Sequence, residues 1–170
     1  MSDSDDSELI DTIYPNLDEL DNLSEDEQTT YFSEQVMLAA KNIDVDTLND
    51  TTLHRLPNNE KCYYSADEAF KDGGTRDNSV PQEYLNSIAI SAMPLHLTTL
   101  KVGAVVILLR NLDYAGGLCN GTRLIIIDLG HNIIQGKILT GKHQGDTAFI
   151  PRISLDTAAS SGLPFTLRRH

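Results

Sequence analysis

The sequence of 170 residues contains no tryptophan and only 6% aromatic residues, so its core must be mostly aliphatic. No apolar run approaches the roughly 18 residues that a membrane span requires; the longest runs, 102–109 and 124–127, have the length of strands. The two cysteines, Cys62 and Cys119, fit a reducing compartment in which thiols stay free. The first six residues are acidic, unlike a signal peptide, which predicts an intracellular protein without a membrane partner.

Basic residues are scarce at the start of the chain and concentrated at its end. Residues 1–60 hold 16 Asp or Glu against 2 Lys or Arg, whereas residues 100–170 hold 4 acidic and 8 basic residues. The net charge of −12 therefore belongs to the N-terminal segment and argues only weakly against nucleic acid as a partner of the rest. A mild positive balance is also typical of ordinary solvated surfaces, so charge alone assigns no partner.

The first 60 residues predict helices around a short apolar run. Residues 1–23, rich in Asp and Ser, are expected to form a flexible lead-in, with 10–15 able to dock onto a neighbouring surface. Ser24 and Glu27 form a capping-box pattern, which predicts a helix to about Gln35.

Residues 36–40 then have the composition of a buried strand, and apolar residues at helical spacing predict a second helix over 44–56. This helix–strand–helix order is typical of α/β layering. The next part, 61–99, is less regular. It predicts a strand at 61–65, a loop at 71–79 and a short helix at 81–85 with Pro at its first turn.

From residue 100 onward the pattern changes to short strands separated by turns rich in Gly and Asn. Such spacing predicts a small β-barrel or sandwich, and the whole chain is therefore expected to be α+β. The candidate strands are 100–109, 122–129, 133–140 and 147–155.

No residue pattern points to catalysis or metal binding. Residues 136–142 have the spacing of a phosphate-binding loop, but His143 replaces the hydroxyl residue that would hold Mg²⁺. The flanks also predict strand–turn–strand, so a β-hairpin turn at 140–145 is the preferred interpretation.

Neither the histidines nor the cysteines have the spacing of metal ligands, which predicts no metal site. No catalytic or cofactor-binding residue is assigned.

Several ordered phrases resemble the Pif-type (petite-integration-frequency) DNA helicases, a branch that includes the helicase domains of Helitron transposons. The strongest are LKVGAVVILLRNLD at 100–113, GLCNGTRL at 117–124 and FIPRI at 149–153. Upstream, residues 36–42 and 56–67 resemble the start of the second motor domain and the segment that follows it.

The resemblance implies a domain order for the whole chain. After the lead-in, residues 24–60 would be a partial motor domain 2A and 61–99 a linking segment. Residues 100–157 would form the inserted domain 2B, an SH3-like barrel. Residues 158–170 would contain a strand that returns toward the remainder of domain 2A.

The resemblance also implies a DNA-contacting role in unwinding during repair, recombination or transposition, in the nucleus. The expected partners are DNA, weakly bound and single-stranded, and the rest of a helicase motor. ATP and Mg²⁺ would serve a full-length parent, because this chain lacks the phosphate-binding loop and later motor motifs and is expected to have no ATPase activity alone. The candidate DNA-binding residues are Lys101, Arg110, Asn111, Asn120, Arg123 and Arg152.

Two other functions stay open at this point. The chain is also compatible with an inactive relic of a mobile-element helicase. A protein-interaction module is the other alternative, since SH3-like barrels often bind peptides, although this rests on fold analogy. The low aromatic content speaks against the aromatic groove that such peptides use.

Overall fold

The computed structural model describes residues 3–37, 42–90, 93–157 and 161–170, with the backbone alone at 3–6 and 42–44. The fold mixes helices with antiparallel strands and is α+β, as predicted. It divides into two compact units, residues 1–60 with 100–150 and residues 61–99 with 151–170. In the described part of the chain, no helix is long and apolar enough to cross a membrane.

The helices and strands of the described residues are four α-helices, one 3-10 helix and nine strands. In chain order they are α1 Asp3–Ile13, the 3-10 helix Leu17–Asn22, α2 Glu25–Ser33, α3 Asn42–Arg55, β1 Lys61–Tyr64, β2 Asp67–Phe70, α4 Gln82–Ser87, β3 Leu97–Leu100, β4 Val105–Ile107, β5 Arg123–Leu129, β6 Ile133–Ile138, β7 Thr147–Pro151, β8 Leu155–Asp156 and β9 Thr166–Arg169.

The prediction of a flexible lead-in at 1–23 was wrong. This segment forms α1 and the 3-10 helix, and Ile10, Leu17 and Leu20 are at most 2% exposed in the core of the first unit. Tyr14 joins the same core, so the expected docking of residues 10–15 occurs within the unit. The average composition of the segment hid these few apolar residues, which lie together once the backbone is helical.

In residues 24–56 the two predicted helices are present, whereas the described part of the predicted strand is not a strand. At α2 the capping box is present: the Glu27 backbone N–H donates to Ser24 Oγ at 3.4 Å, and the Ser24 backbone N–H donates to Glu27 Oε2 at 2.8 Å. The second predicted helix corresponds to α3. Of the predicted strand at 36–40, Val36 is exposed and not in a strand, while 38–40 lie outside the described residues.

The first unit also contains a four-stranded sheet in the order β4-β5-β6-β7. Its β4–β5 and β5–β6 pairs are antiparallel, and the register shifts at a bulge between Ile126 and Asp128. On one face, Val105 and Ile125 pack into the core that contains the helices; on the other, Leu124 and Ile138 pack with Leu118.

One expectation for this region is corrected and another is not confirmed. The predicted strand at 100–109 is interrupted, because a turn with Gly103 at φ 85° separates β3 from β4. The expected SH3-like barrel is not confirmed. Among the described residues, β4 and β7 lie at opposite ends of the strand order and the sheet has no closing pair.

The second unit is built around β2, β9 and β8, in that order. The predicted return strand is present as β9, and it pairs antiparallel with both β2 and β8. Residues 158–160 of the predicted segment lie outside the described residues. Leu85 of α4 packs with Ala69 and Leu167 of the sheet to form the core of this unit. The strand β2, which the sequence did not predict, is the partner that β9 requires.

A buried ion pair links strand β2 to strand β9 in the second unit. The Arg169 guanidinium donates from Nη2 to Asp67 Oδ2 at 2.6 Å and from Nε to Asp67 Oδ1 at 2.9 Å, and the two side chains are 4% and 0% exposed. Burial alone would raise the pKa of Asp67, but hydrogen bonds from Arg169 and Ser65, with the positive charge of Arg169, lower it below its ordinary value of 3.8.

We predict that Asp67→Asn destabilises the second unit by about 3–5 kcal/mol, because it leaves the Arg169 charge buried without a counter-ion. The matched control is Asp156→Asn on the neighbouring strand. Its partner Arg168 is 38% exposed, so the loss should be much smaller than that of Asp67→Asn. Hydrogen-exchange protection of β2 and β9 amides measures both. Equal losses in the two variants would contradict a special role for the buried pair.

The same pair should also make the unit sensitive to acid. Because the folded-state pKa of Asp67 lies below 3.8, its stabilising contribution is present above that pH and is lost as the pH falls through the folded pKa. Protection of the same amides should therefore fall below pH 3.8 in the wild type. Asp67→Asn should lack this component of the pH dependence, and identical acid profiles would show that another group is responsible.

Candidate nucleic-acid interface

Lys101, the first predicted DNA contact, points into the first unit. Its side chain is 8% exposed, and Nζ donates to the backbone carbonyls of Leu56 at 3.0 Å and His54 at 3.3 Å. Both carbonyls belong to the C-terminal end of α3, where backbone acceptors have no partner within the helix. The positive charge also suits the negative end of the helix dipole. Lys101 thus caps α3.

Arg123 does the same for α2. Its Nη2 donates to the carbonyls of Phe32 at 3.0 Å and Gln35 at 2.8 Å, so one nitrogen from β5 closes the last turn of that helix. The opposite end of α2 contacts the sheet through Lys137, whose Nζ donates to Asp26 at 2.6 Å and lowers the pKa of that carboxyl. Two basic residues of the sheet therefore hold the two ends of one helix.

Arg152 belongs to the second unit, where it is exposed and also engaged with the backbone. Its Nη1 donates to the carbonyls of Tyr64 at 3.0 Å and His170 at 3.3 Å. Arg169 completes this pattern, because it donates to the carbonyls of Leu85 and Ile88 at the end of α4 in addition to Asp67. Sequence reasoning gave no signal for these capping roles, since each joins residues far apart in the chain.

The other three candidates lie together in the loop that connects β4 to β5. Arg110, Asn111 and Asn120 are all exposed there. The side-chain amide of Asn111 makes two hydrogen bonds within the loop. Its Oδ1 accepts from the Asn120 N–H at 2.8 Å, and its Nδ2 donates to the Tyr114 hydroxyl at 2.5 Å. We call residues 110–122 the brace loop. This loop contains three of the six candidate DNA-binding residues, and all three are exposed.

A shallow concavity of about 300 Å³ lies between the brace loop and the turn after β6. This turn confirms the hairpin interpretation of the sequence resembling a phosphate-binding loop, since β6 and β7 are neighbours and the Gly145 N–H donates to the Ile138 carbonyl at 2.8 Å. The residues that line it are Gly117, Cys119, Asn120, Gly121, Thr122, Thr140, Gly141, Lys142 and His143.

The loop and the turn are in close contact. A Cβ added at Gly117, which has φ 75°, would lie 2.7 Å from the His143 ring, so this position requires glycine both for its backbone and for the space. His143 Nδ1 lies 3.1 Å from Asp146 Oδ2. No group of His, Cys, Asp or Glu that could hold a metal ion occurs within the described ranges. What the surface offers is an exposed Lys142, amide groups and glycine backbone.

The model of a known domain family matches part of the chain. Residues 83–129 match the family model of the DNA helicase Pif1, 2B domain. This segment begins in α4 and ends with β5, so it contains the brace loop. No curated protein matches the chain.

Solved structures of Pif1 helicases share the fold. A double mutant of Pif1 helicase from Bacteroides superposes with a TM-score of 0.52 at 20% identity, covering 100% of this chain and 37% of that one. Pif1 helicase from Candida albicans gives 0.51 at 17% identity, covering 90% and 40%. A structure of two coordinating Pif1 helicases gives 0.50 at 17% identity, covering 92% and 34%.

The chain thus spans little more than a third of the length of these structures. The 2B match over residues 83–129 and the shared fold support the Pif1-type helicase fragment that the sequence phrases predicted. The domain boundaries and the DNA contacts proposed from the sequence stay predictions.

We predict that Arg123→Met lowers the free energy of unfolding of the first unit by about 1–3 kcal/mol, because two backbone carbonyls lose their donor. Lys142→Met is the matched control, since it removes an exposed charge and should change stability by less than about 0.5 kcal/mol. Urea unfolding followed by circular dichroism measures the difference. A stability of Arg123→Met equal to that of the control would contradict the capping role.

Proposed function

We propose that this chain is a DNA-contacting accessory module of a Pif1-type helicase. The observation that carries the proposal is the 2B match over residues 83–129, on a chain whose fold is shared with Pif1 helicases. One of the similar structures concerns DNA unwinding at forked duplex DNA by two coordinating Pif1 helicases. The module would hold or guide the DNA strand, and the motor domains of the helicase would drive unwinding.

The brace loop and the adjacent turn are the surface that best supports DNA contact. Arg110 and Lys142 are exposed cations there, and Asn111 and Asn120 offer amide groups. Lys101 and Arg123 direct their donors to helix carbonyls, so their part in the proposal is to hold the fold under this surface. A single strand would be bound weakly, because few cations are exposed and the chain as a whole is acidic.

The remaining parts of the proposal concern the parent protein. A complete helicase would bind ATP and Mg²⁺ through its motor domains, and this chain alone would not turn over ATP. The 2B part would adopt the SH3-like barrel of the family. Unwinding would serve repair, recombination or transposition in the nucleus. Each of these points follows from the family and not from a group in this chain.

We predict weak binding to a fluorescein-labelled oligo(dT) that loses strength with salt. If Arg110 and Lys142 each neutralise one phosphate, the affinity should fall about sevenfold between 50 and 200 mM salt, from a slope of about −0.7 per phosphate contact. Fluorescence anisotropy measures this directly. The double variant Arg110→Met, Lys142→Met should lose most of the salt dependence.

A matched control for this titration is a double variant that removes two cations elsewhere, Lys61→Met and Lys71→Met in the second unit. It should bind like the wild type if the contact is confined to the brace loop. Binding that ignores salt would exclude a phosphate-based contact. No binding at 50 mM salt would overturn the proposal and favour the two alternatives, a protein-interaction module or an inactive relic.

A further inference from the structure

We propose that Tyr114 is a stacking platform for one unpaired nucleobase at the brace loop. This inference rests on the proposed function, since it names the residue that would hold a base once the strand is bound. Among the large apolar and aromatic side chains of the described residues, Tyr114 is the most exposed, at 74%. A ring face left in water is available to a planar partner.

The ring is exposed and also held in place. Its hydroxyl accepts a hydrogen bond from Asn111 Nδ2 at 2.5 Å, and Asn111 is fixed in turn by the Asn120 N–H at 2.8 Å. Next to it, Asp113 Oδ1 accepts from the Ala115 N–H at 3.0 Å, and Asp113 pairs with Leu118 through backbone hydrogen bonds. A side chain that is already ordered loses little conformational entropy when it binds a ligand.

Polar groups in contact with the ring suit the edge of a nucleobase. Asn111 lies against the Tyr114 hydroxyl and contacts the Asn120 N–H, so amide groups adjoin the ring. A base would stack on the ring through its π-face and present its polar edge to these groups, and such stacking tolerates any base.

Charge around the loop is mixed and still permits a phosphate. The nearby acids are Asp113 and Asp146, and each already has a partner: Asp113 accepts from the Ala115 N–H, and Asp146 contacts His143. Arg110 and Lys142 are the cations of the loop and the turn. The strand would therefore place its phosphates toward these two cations and one base on Tyr114.

The test compares variants of the full chain on an oligo(dT) that carries a single 2-aminopurine, whose fluorescence is quenched by stacking. Tyr114→Ala should weaken binding about 5- to 100-fold and abolish the quenching. Tyr114→Phe, which keeps the ring, should stay within about threefold of the wild type. Tyr114→Leu, which keeps apolar bulk without a π-face, should behave like Tyr114→Ala.

Phe149→Ala is the matched control, because Phe149 is 60% exposed on β7 of the same unit and lies outside the brace loop. It should leave affinity and quenching unchanged. The melting midpoint of each variant, followed by circular dichroism, should stay close to that of the wild type, since Tyr114 and Phe149 are both exposed.

The outcomes separate this inference from the proposed function. If Tyr114→Ala or Tyr114→Leu binds as tightly as the wild type while binding still weakens with salt, the stacking role is overturned and the DNA-contacting module stands. If the wild type shows no binding to the oligonucleotide, the proposed function fails and the stacking role fails with it. Loss of quenching in Tyr114→Ala with an unchanged salt dependence supports both.

Discussion

The carbonyl groups at the C-terminal ends of helices need hydrogen-bond donors, and this constraint shapes both units of the chain. Lys101 caps α3, Arg123 caps α2 and Arg169 caps α4, in each case from a residue distant in sequence. Each cap also places a positive charge at the negative end of the helix dipole. The helices are short and acidic, so they depend on these contacts more than on their own propensity.

This use of basic residues changes what the excess of positive charge in residues 100–170 means. From the sequence alone, Lys101, Arg110 and Arg123 are equally good candidates for contact with a phosphate. In the structure, the first two direct their donors inward, and the exposed cations of the brace loop and its neighbouring turn are Arg110 and Lys142. The proposed nucleic-acid surface is thus narrower than the charge pattern suggests, and in our proposal Tyr114 adds an aromatic ring to it.

Local patterns were the most reliable guide to the elements. The capping box of Ser24 and Glu27, the Gly-rich hairpin after β6 and the short helix α4 follow from contacts between residues close in sequence, so they were predictable. The ordered phrases at 100–113 and 117–124 also indicated a Pif1-type helicase fragment, which the 2B match over residues 83–129 supports. The strand β2 and the burial of Ile10 were not predictable, because each depends on a partner that comes much later in the chain.

The sequence by itself determined the locally capped helices, the Gly-rich hairpin, the acidic and basic halves and the resemblance to Pif1-type helicases, because these depend on local propensity and on the order of motifs. Only the tertiary structure decided the role of each basic side chain. A long cation can reach either a phosphate in solvent or a carbonyl at a helix end. The choice depends on which helix ends lie within hydrogen-bonding distance, and that is fixed by contacts between residues such as Asp67 and Arg169, which folding alone brings together.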